Sequence, residues 1–163
     1  QLPCFLVVPF QKIQYQILRE DQLSQTEPDL LESAVRAFQF SHSPYSRHKV
    51  SCAVLLSDGQ IVTGANQENA SYPAGLCAER VALFTSKNLS EVPIKSILVI
   101  ARNEKNKPAD AFSCGGCRQV MLEYASLQSE KISILMGNKR GDFIKIEDVK
   151  ELMPFHFSSD SIS

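Results

Sequence analysis

The period of the apolar positions changes several times along the chain, and each change predicts an element. Residues 11–20 alternate, with Ile13, Tyr15 and Ile17 on one face and Gln14 and Gln16 on the other. That two-residue period predicts an edge strand ahead of the main domain. Pro28 opens a helix through about Phe40, in which Leu31, Val35 and Phe38 share a face. Val50 to Leu56 reads as a strand, Asp58-Gly59 as a tight turn, and Ile61 to Gly64 as the returning antiparallel strand. Leu76 to Lys87 has helical spacing at Val81, Leu83 and Phe84. Ser96 to Ala101 is a continuous apolar run, as expected of a strand covered on both faces. A loop rich in Asn, Lys and Pro runs to Ser113, and a helix follows from Arg118 to Leu127. Short strands at Ile132 to Met136 and Gly141 to Ile146 precede a last helical turn, Glu147 to Met153. Strands alternating with helices predict an α/β protein whose sheet is covered by helices on both faces. No repeat, low-complexity tract or composition break marks a linker, so residues 28–163 are read as one domain behind an extension of residues 1–27.

Composition narrows the functions available. The chain has 163 residues, a size that suits one domain and needs no disulfides to hold it together. Seventeen Lys and Arg against 18 Asp and Glu leave no basic surplus to follow a phosphate backbone, so no nucleic-acid partner is expected. No apolar run reaches the ~18 residues that a membrane span needs. Leu2 to Phe10 is apolar but short, broken by Pro3 and Pro9 and without a basic leader, so it is not read as a signal peptide. Five cysteines, an odd number, then suggest a cytoplasmic protein with free or metal-bound thiols.

Cys114 and Cys117 form a C-x-x-C pair. A structural zinc site, a redox dithiol and a catalytic metal site with three protein ligands all use such a pair. Cys4, Cys52 and Cys77 are isolated, so there is no second pair to complete a four-cysteine structural site. The redox reading is weakened because Ser113, in a loop, precedes the pair. Cys77 begins one predicted helix, and the 114–117 pair begins another. Helix N-termini carry positive partial charge and favour thiolates. Two such ends can converge on one ion, with three sulfurs and a vacant position, and Zn²⁺ suits that donor set. Glu79, two residues after Cys77, then lies where a carboxylate can take a proton from a metal-activated water and pass it on. Three thiolates and Zn²⁺ sum to a net negative charge, and Arg80 and Arg118 are candidates to offset it by donating to the sulfurs. A zinc-stabilised binding protein without catalysis has no use for Glu79, and a redox dithiol has none for Cys77.

Cys-Ala-Glu-Arg at 77–80 with Cys-Gly-Gly-Cys-Arg-Gln at 114–119 resembles the small homotetrameric zinc-dependent cytidine deaminases. The resemblance covers about residues 28–157. It includes Pro44-Tyr45-Ser46, the Asp58-Gly59 hairpin, the segment Asn66 to Tyr72, and Leu152 to Phe157. It implies a three-layer α/β/α sandwich around a mixed sheet of about five strands, one Zn²⁺ per chain, and self-association as a homotetramer. The implied reaction is hydrolysis of cytidine and deoxycytidine to uridine and deoxyuridine, a step of pyrimidine salvage, with Glu79 protonating N3 and then the departing amine. Asn66 and Glu68 match the pair that reads the ribose 3′-hydroxyl. The Ala78 N–H and carbonyls near Ser113 match groups that hold the base edge. Ala70 and Tyr72 match residues that reach a neighbouring subunit's site, and Phe157 matches an aromatic that stacks on the pyrimidine across the interface. His48 stands where the family usually has a Phe packed against the nucleoside, and Ser113 where a Pro is common. Another aminated pyrimidine nucleoside, blasticidin-like, is the alternative substrate. Cys52 is expected to be a buried core residue, His42 and His156 to lie in loops, and Cys4 has no derived role.

Overall fold

The computed structural model describes residues 13–158 together with 161 and 162. Cys4 and the start of the alternating 11–20 segment lie outside them. The described strands are β1 (Gln16–Leu18), β2 (Lys49–Leu56), β3 (Ile61–Ala65), β4 (Ile94–Arg102), β5 (Pro108–Ala109), β6 (Ser133–Gly137) and β7 (Phe143–Ile146). The α-helices are α1 (Glu27–Ala37), α2 (Ala78–Leu89) and α3 (Gly115–Ser126). The sheet runs β1-β7-β6-β4-β2-β3, with β5 on the end of β4. Only β4 and β6 pair in parallel, so the sheet is mixed.

Alternation within the buried strands builds the three layers. Cys52, Val54, Leu56, Ile97, Val99, Ile134 and Met136 face α2 and α3, packing on Ala78, Ala82, Leu83, Met121 and Ala125. Ala53, Leu55, Leu98, Leu135 and Phe143 face the other way, onto Leu30 and Ala34 of α1. The unbroken apolar run in β4 is explained, because both of its faces are covered. Cys52 is fully buried on the α2/α3 side.

Among the described residues the sheet has seven strands, two beyond the expected five. The three residues of β1 form an edge strand of the sheet. They pair with β7 in register, Ile17 opposite Ile144. The two residues of β5 lie in the loop rich in Asn and Lys, too short a strand to leave any alternation. Helix α3 starts at Gly115, three residues before the predicted Arg118, because two glycines at its first positions hide the helical spacing.

One glycine positions the site. At Gly64, a Cβ would lie 2.6 Å from the Ala78 carbonyl oxygen and would also strike Ala82 N. The absence of a side chain lets the first turn of α2 lie directly on β3.

Candidate metal centre and active site

Cys77 and Cys114 occupy the same position on different helices. Each is the N-cap residue, in extended conformation, of α2 and α3 respectively. An N-cap side chain sits beside the free N–H groups of the first turn. Two helix ends therefore deliver two thiols to one point, and Cys117, in the first turn of α3, adds a third from below. The Cys77 and Cys114 sulfurs are 3.8 Å apart, and those of Cys114 and Cys117 are 3.5 Å apart. All three lie within 4.8 Å of one another. Zinc–sulfur bonds of about 2.3 Å at tetrahedral angles place ligand sulfurs about 3.8 Å apart. The spacing therefore fits zinc with three sulfur ligands, and the donor set suits it.

The cluster stores negative charge readily. The Cys77 thiol is lowered to about 5, chiefly by hydrogen bonding from Cys117, against burial and with help from Arg80 and Cys114. The Cys117 thiol, which donates to Cys77 and is buried, is pushed far up. Burial opposes the charge on Arg80, but Cys77 and Cys117 beside it more than compensate and raise its guanidinium further. Its Nη2 also donates to the Gly75 carbonyl at 3.4 Å.

Arg118 departs from the expectation of a donor to the sulfurs. Its Nε donates to the Ser113 carbonyl at 2.9 Å and its Nη1 to the Leu152 carbonyl at 3.5 Å. Each residue advances a helix by roughly 100°, so with Cys117 turned inward residue 118 points toward the C-terminal turn. Arg118 thus pins the backbone just before Cys114 and the segment after α3 to each other.

Glu79, in the first turn of α2, is 4% exposed, and burial raises its carboxyl above the usual range. It lines a cleft of about 900 Å³ with Cys77, Cys114, Arg80, His48, Asn66, Glu68 and Tyr72. That volume is suitable for a small molecule. Ala78 is fully buried, with its N–H among the free donors at the start of α2.

The far side of the cleft is made of loops. Asn66 Oδ1 accepts from Val50 N at 2.9 Å and from Ser41 Oγ at 2.6 Å, and Nδ2 donates to the His48 carbonyl at 2.9 Å. Glu68 Oε2 accepts from the Tyr45 and Ser46 amides at 2.9 and 3.2 Å, and Oε1 accepts from the Ser46 hydroxyl. Partial burial works against the charge on Glu68, but the Ser46 hydroxyl and those two amides hold it below the usual range. Arg47, between Ser46 and His48, takes the left-handed conformation at φ 54°. Asn66 and Glu68 therefore shape the turn that presents His48, which is turn chemistry in addition to any contact with a ligand.

Ala70, Arg118 and Phe157 do not line this cleft. Ala70 is exposed, and Phe157 is 63% exposed with its carbonyl bound by Gln119 Nε2 at 2.9 Å. His42 and His156 lie away from the sulfurs; the His156 ring is bound to the Met153 carbonyl. Asp110 and Phe112 also line the cleft and had no signal in the spacing. They come from loops, where no period exists to read.

Residues 24–134 match the family described as the cytidine and deoxycytidylate deaminase zinc-binding region. Over 134 residues, the chain is 37% identical to a cytidine deaminase of Halalkalibacterium halodurans, covering 82% of this chain and 96% of that one. It is 32% identical to a cytidine deaminase of Sporosarcina psychrophila, with 82% and 93% covered. The crystal structure of a Burkholderia pseudomallei cytidine deaminase superposes with a TM-score of 0.69 at 32% identity, covering 82% of this chain and all of that one. Three sulfurs at zinc spacing, a buried carboxylate beside them and these likenesses agree: the chain belongs to the cytidine and deoxycytidylate deaminase family.

Proposed function

We propose that this protein hydrolyses cytidine and deoxycytidine to uridine and deoxyuridine, releasing ammonia. The observation that carries the reading is the pairing of three sulfurs at tetrahedral spacing with a carboxylate, Glu79, buried in the same cleft. A purely structural zinc site fills its fourth position with protein and has no use for such a carboxylate.

Cys77, Cys114 and Cys117 would hold the zinc. When bound, it supplies a Lewis acid that lowers the pKa of a coordinated water toward neutrality. Glu79 takes a proton from the attacking water and delivers it to N3 of the pyrimidine, then takes the proton of the new C4 hydroxyl and delivers it to the amine, which leaves C4 as ammonia while the carbonyl forms. Burial favours the protonated carboxyl, so the group can hold each proton between uptake and delivery. Arg80 offsets the excess negative charge of the three sulfurs. The Ala78 N–H and the main chain near Ser113 orient the base edge. Asn66 and Glu68 read the ribose, and a site built to bond a hydroxyl rejects a base that lacks the sugar. His48 packs against the nucleoside. Glu68, Glu79 and Asp110 all line the cleft, and their carboxylates disfavour a 5′-phosphate.

The site is completed by neighbouring copies in a homotetramer. Tyr72 and Phe157 are 79% and 63% exposed, and Phe157 lies outside its own chain's cleft. Both are large apolar side chains of the sort an interface covers. No described helix is long and apolar enough to cross a membrane. Thiolate ligands suit the reducing cytoplasm, where we place the protein.

The test is an absorbance assay with cytidine, deoxycytidine and cytosine, run alongside metal analysis. Both nucleosides should be deaminated, cytosine should not, and zinc should be found at about one per chain. A chain with no zinc and a reducible Cys114–Cys117 disulfide would refute the proposal.

A further inference from the structure

The segment that leads into α3 alternates in burial but not in hydropathy. Asp110, Phe112 and Cys114 are exposed, while Ala111 and Ser113 between them are 5% and 3% exposed. Successive side chains of an extended chain point to opposite faces, so this alternation puts Asp110, Phe112 and Cys114 on one face. That face borders the cleft, and all three line it. The polarity is the reverse of what packing alone selects. A serine is turned inward, while the ring of Phe112 stays 50% exposed, two residues before a metal-binding sulfur.

The main chain holds that ring in place from both sides. Ahead of it, Ala111 N donates to the Gly137 carbonyl at 2.9 Å, and Asp110 Oδ1 accepts from Lys139 N at 3.0 Å. Behind it, the Ser113 carbonyl accepts from Arg118 Nε at 2.9 Å. Phe112 is thus tied between the end of β6 and α3, and making a contact orders only its two side-chain torsions, at little entropic cost. Glu79 enters the cleft from α2, and Phe112 enters from the segment before α3, so the two flank the sulfurs from different elements. N3 and C5 lie on opposite sides of a pyrimidine. A base whose N3 meets Glu79 therefore turns its C5–C6 edge away from α2, and that is the one edge with neither donor nor acceptor.

We infer that Phe112 is a specificity-determining residue, whose ring packs against the C5–C6 edge of the pyrimidine and leaves no room for a substituent at C5. The inference rests on the deaminase reading above and narrows its substrate class to aminated pyrimidine nucleosides unsubstituted at C5. It puts one point of recognition on the sulfur side of the cleft, on a backbone as firmly held as the ligands. The edge that the ring covers is alike in substrate and product, so the contact contributes to affinity and not to the chemical step. A hydrophobic pocket separates substrates that differ by one methyl group about 10- to 200-fold.

The test uses the zinc-loaded enzyme and the variants Phe112→Ala and Phe112→Leu. Cytidine and 5-methylcytidine are the substrates, and uridine is the competitive inhibitor that reports binding without turnover. The wild type should favour cytidine over 5-methylcytidine by about tenfold or more in kcat/KM. Phe112→Ala should cut that ratio at least about fivefold, because it opens space at C5. It should weaken inhibition by uridine about threefold to tenfold, the range of one aromatic contact. Its kcat for cytidine should stay within about threefold, with zinc content unchanged. Phe112→Leu, apolar but smaller, should fall between the two in both measurements. A substrate ratio that neither variant moves, or a wild type indifferent to the methyl group, would overturn the inference and leave the deaminase reading intact. So would an altered sedimentation rate at an unmoved ratio, which would make the ring a contact between copies. A wild-type chain that deaminates neither nucleoside would remove the deaminase reading itself, and this inference with it.

Discussion

The two walls of the cleft are built on different principles. The sulfur wall stands on helix ends: Cys77 and Cys114 cap α2 and α3, and Cys117, Ala78 and Ala82 behind them are fully buried. Its geometry is fixed by core packing. The opposite wall is a pair of loops, residues 41–48 and 66–76, fixed by side-chain bonds to main chain from Asn66, Glu68 and Ser46. Chemistry that needs sulfurs placed to a few tenths of an ångström sits on the rigid wall. Under the proposed function, recognition, where a different substituent must be accommodated or refused, would sit on the adjustable one.

If the walls divide the work in this way, substitutions should separate cleanly. Cys77→Ala should have the largest effect. Zinc should fall well below one per chain by metal analysis, and deamination should drop by more than the ~10⁴ that a proton shuttle alone contributes. Glu79→Gln comes next: zinc and melting temperature should be retained, while kcat for cytidine falls about 10²- to 10⁴-fold. A Glu79→Gln variant of normal activity would mean that the sulfur wall carries the metal but not the proton transfer.

On the loop wall, Asn66→Ala should cost both stability and turnover, because it strips Val50 N and the His48 carbonyl of partners. Chemical denaturation should show a loss of about 1–3 kcal/mol, and KM should rise more than kcat falls. If stability is untouched, the loop is held by other means. The smallest effect concerns pH. The Glu68 carboxyl is held below its ordinary 4.5 by the Ser46 hydroxyl and two amides, against its burial. A lowered carboxyl stabilises the folded state above the unfolded pKa and loses that contribution as pH falls through the folded value. Stability should therefore decline as pH drops below about 4.5, and Glu68→Gln should flatten that decline in melting curves taken across the acid range.

The same two walls differ in how much of them the sequence reveals. The sulfur wall was legible because its signals are local: C-x-x-C within one turn, and Cys77 two residues before a carboxylate. The meeting of Cys77 with Cys114, 37 residues apart, was suggested by their shared place at helix starts. The buried strands were legible from their apolar runs. What could not be read is whatever depends on side-chain direction or on pairing too short to leave a period. Arg118 follows a ligand in sequence yet turns to the Ser113 carbonyl, and β5 is two residues long. Asp110 and Phe112 enter the cleft from a loop without periodicity. For Asn66 and Glu68 the residue types were informative, but their bonds to the main chain of residues 45–50 became visible only in three dimensions.

Gly64 sets a limit on how this scaffold can be altered. The carbonyl of Ala78 lies where a Cβ at position 64 would go, and Ala78 sits between Cys77 and Glu79, the proposed metal ligand and proton carrier. Any larger residue there would tilt α2 and displace both groups together, so alanine at 64 should fail as a catalyst without a single reactive atom having been changed. Directed evolution toward new aminated nucleosides can therefore sample the 41–48 loop widely, while a library that randomises position 64 would consist largely of dead clones.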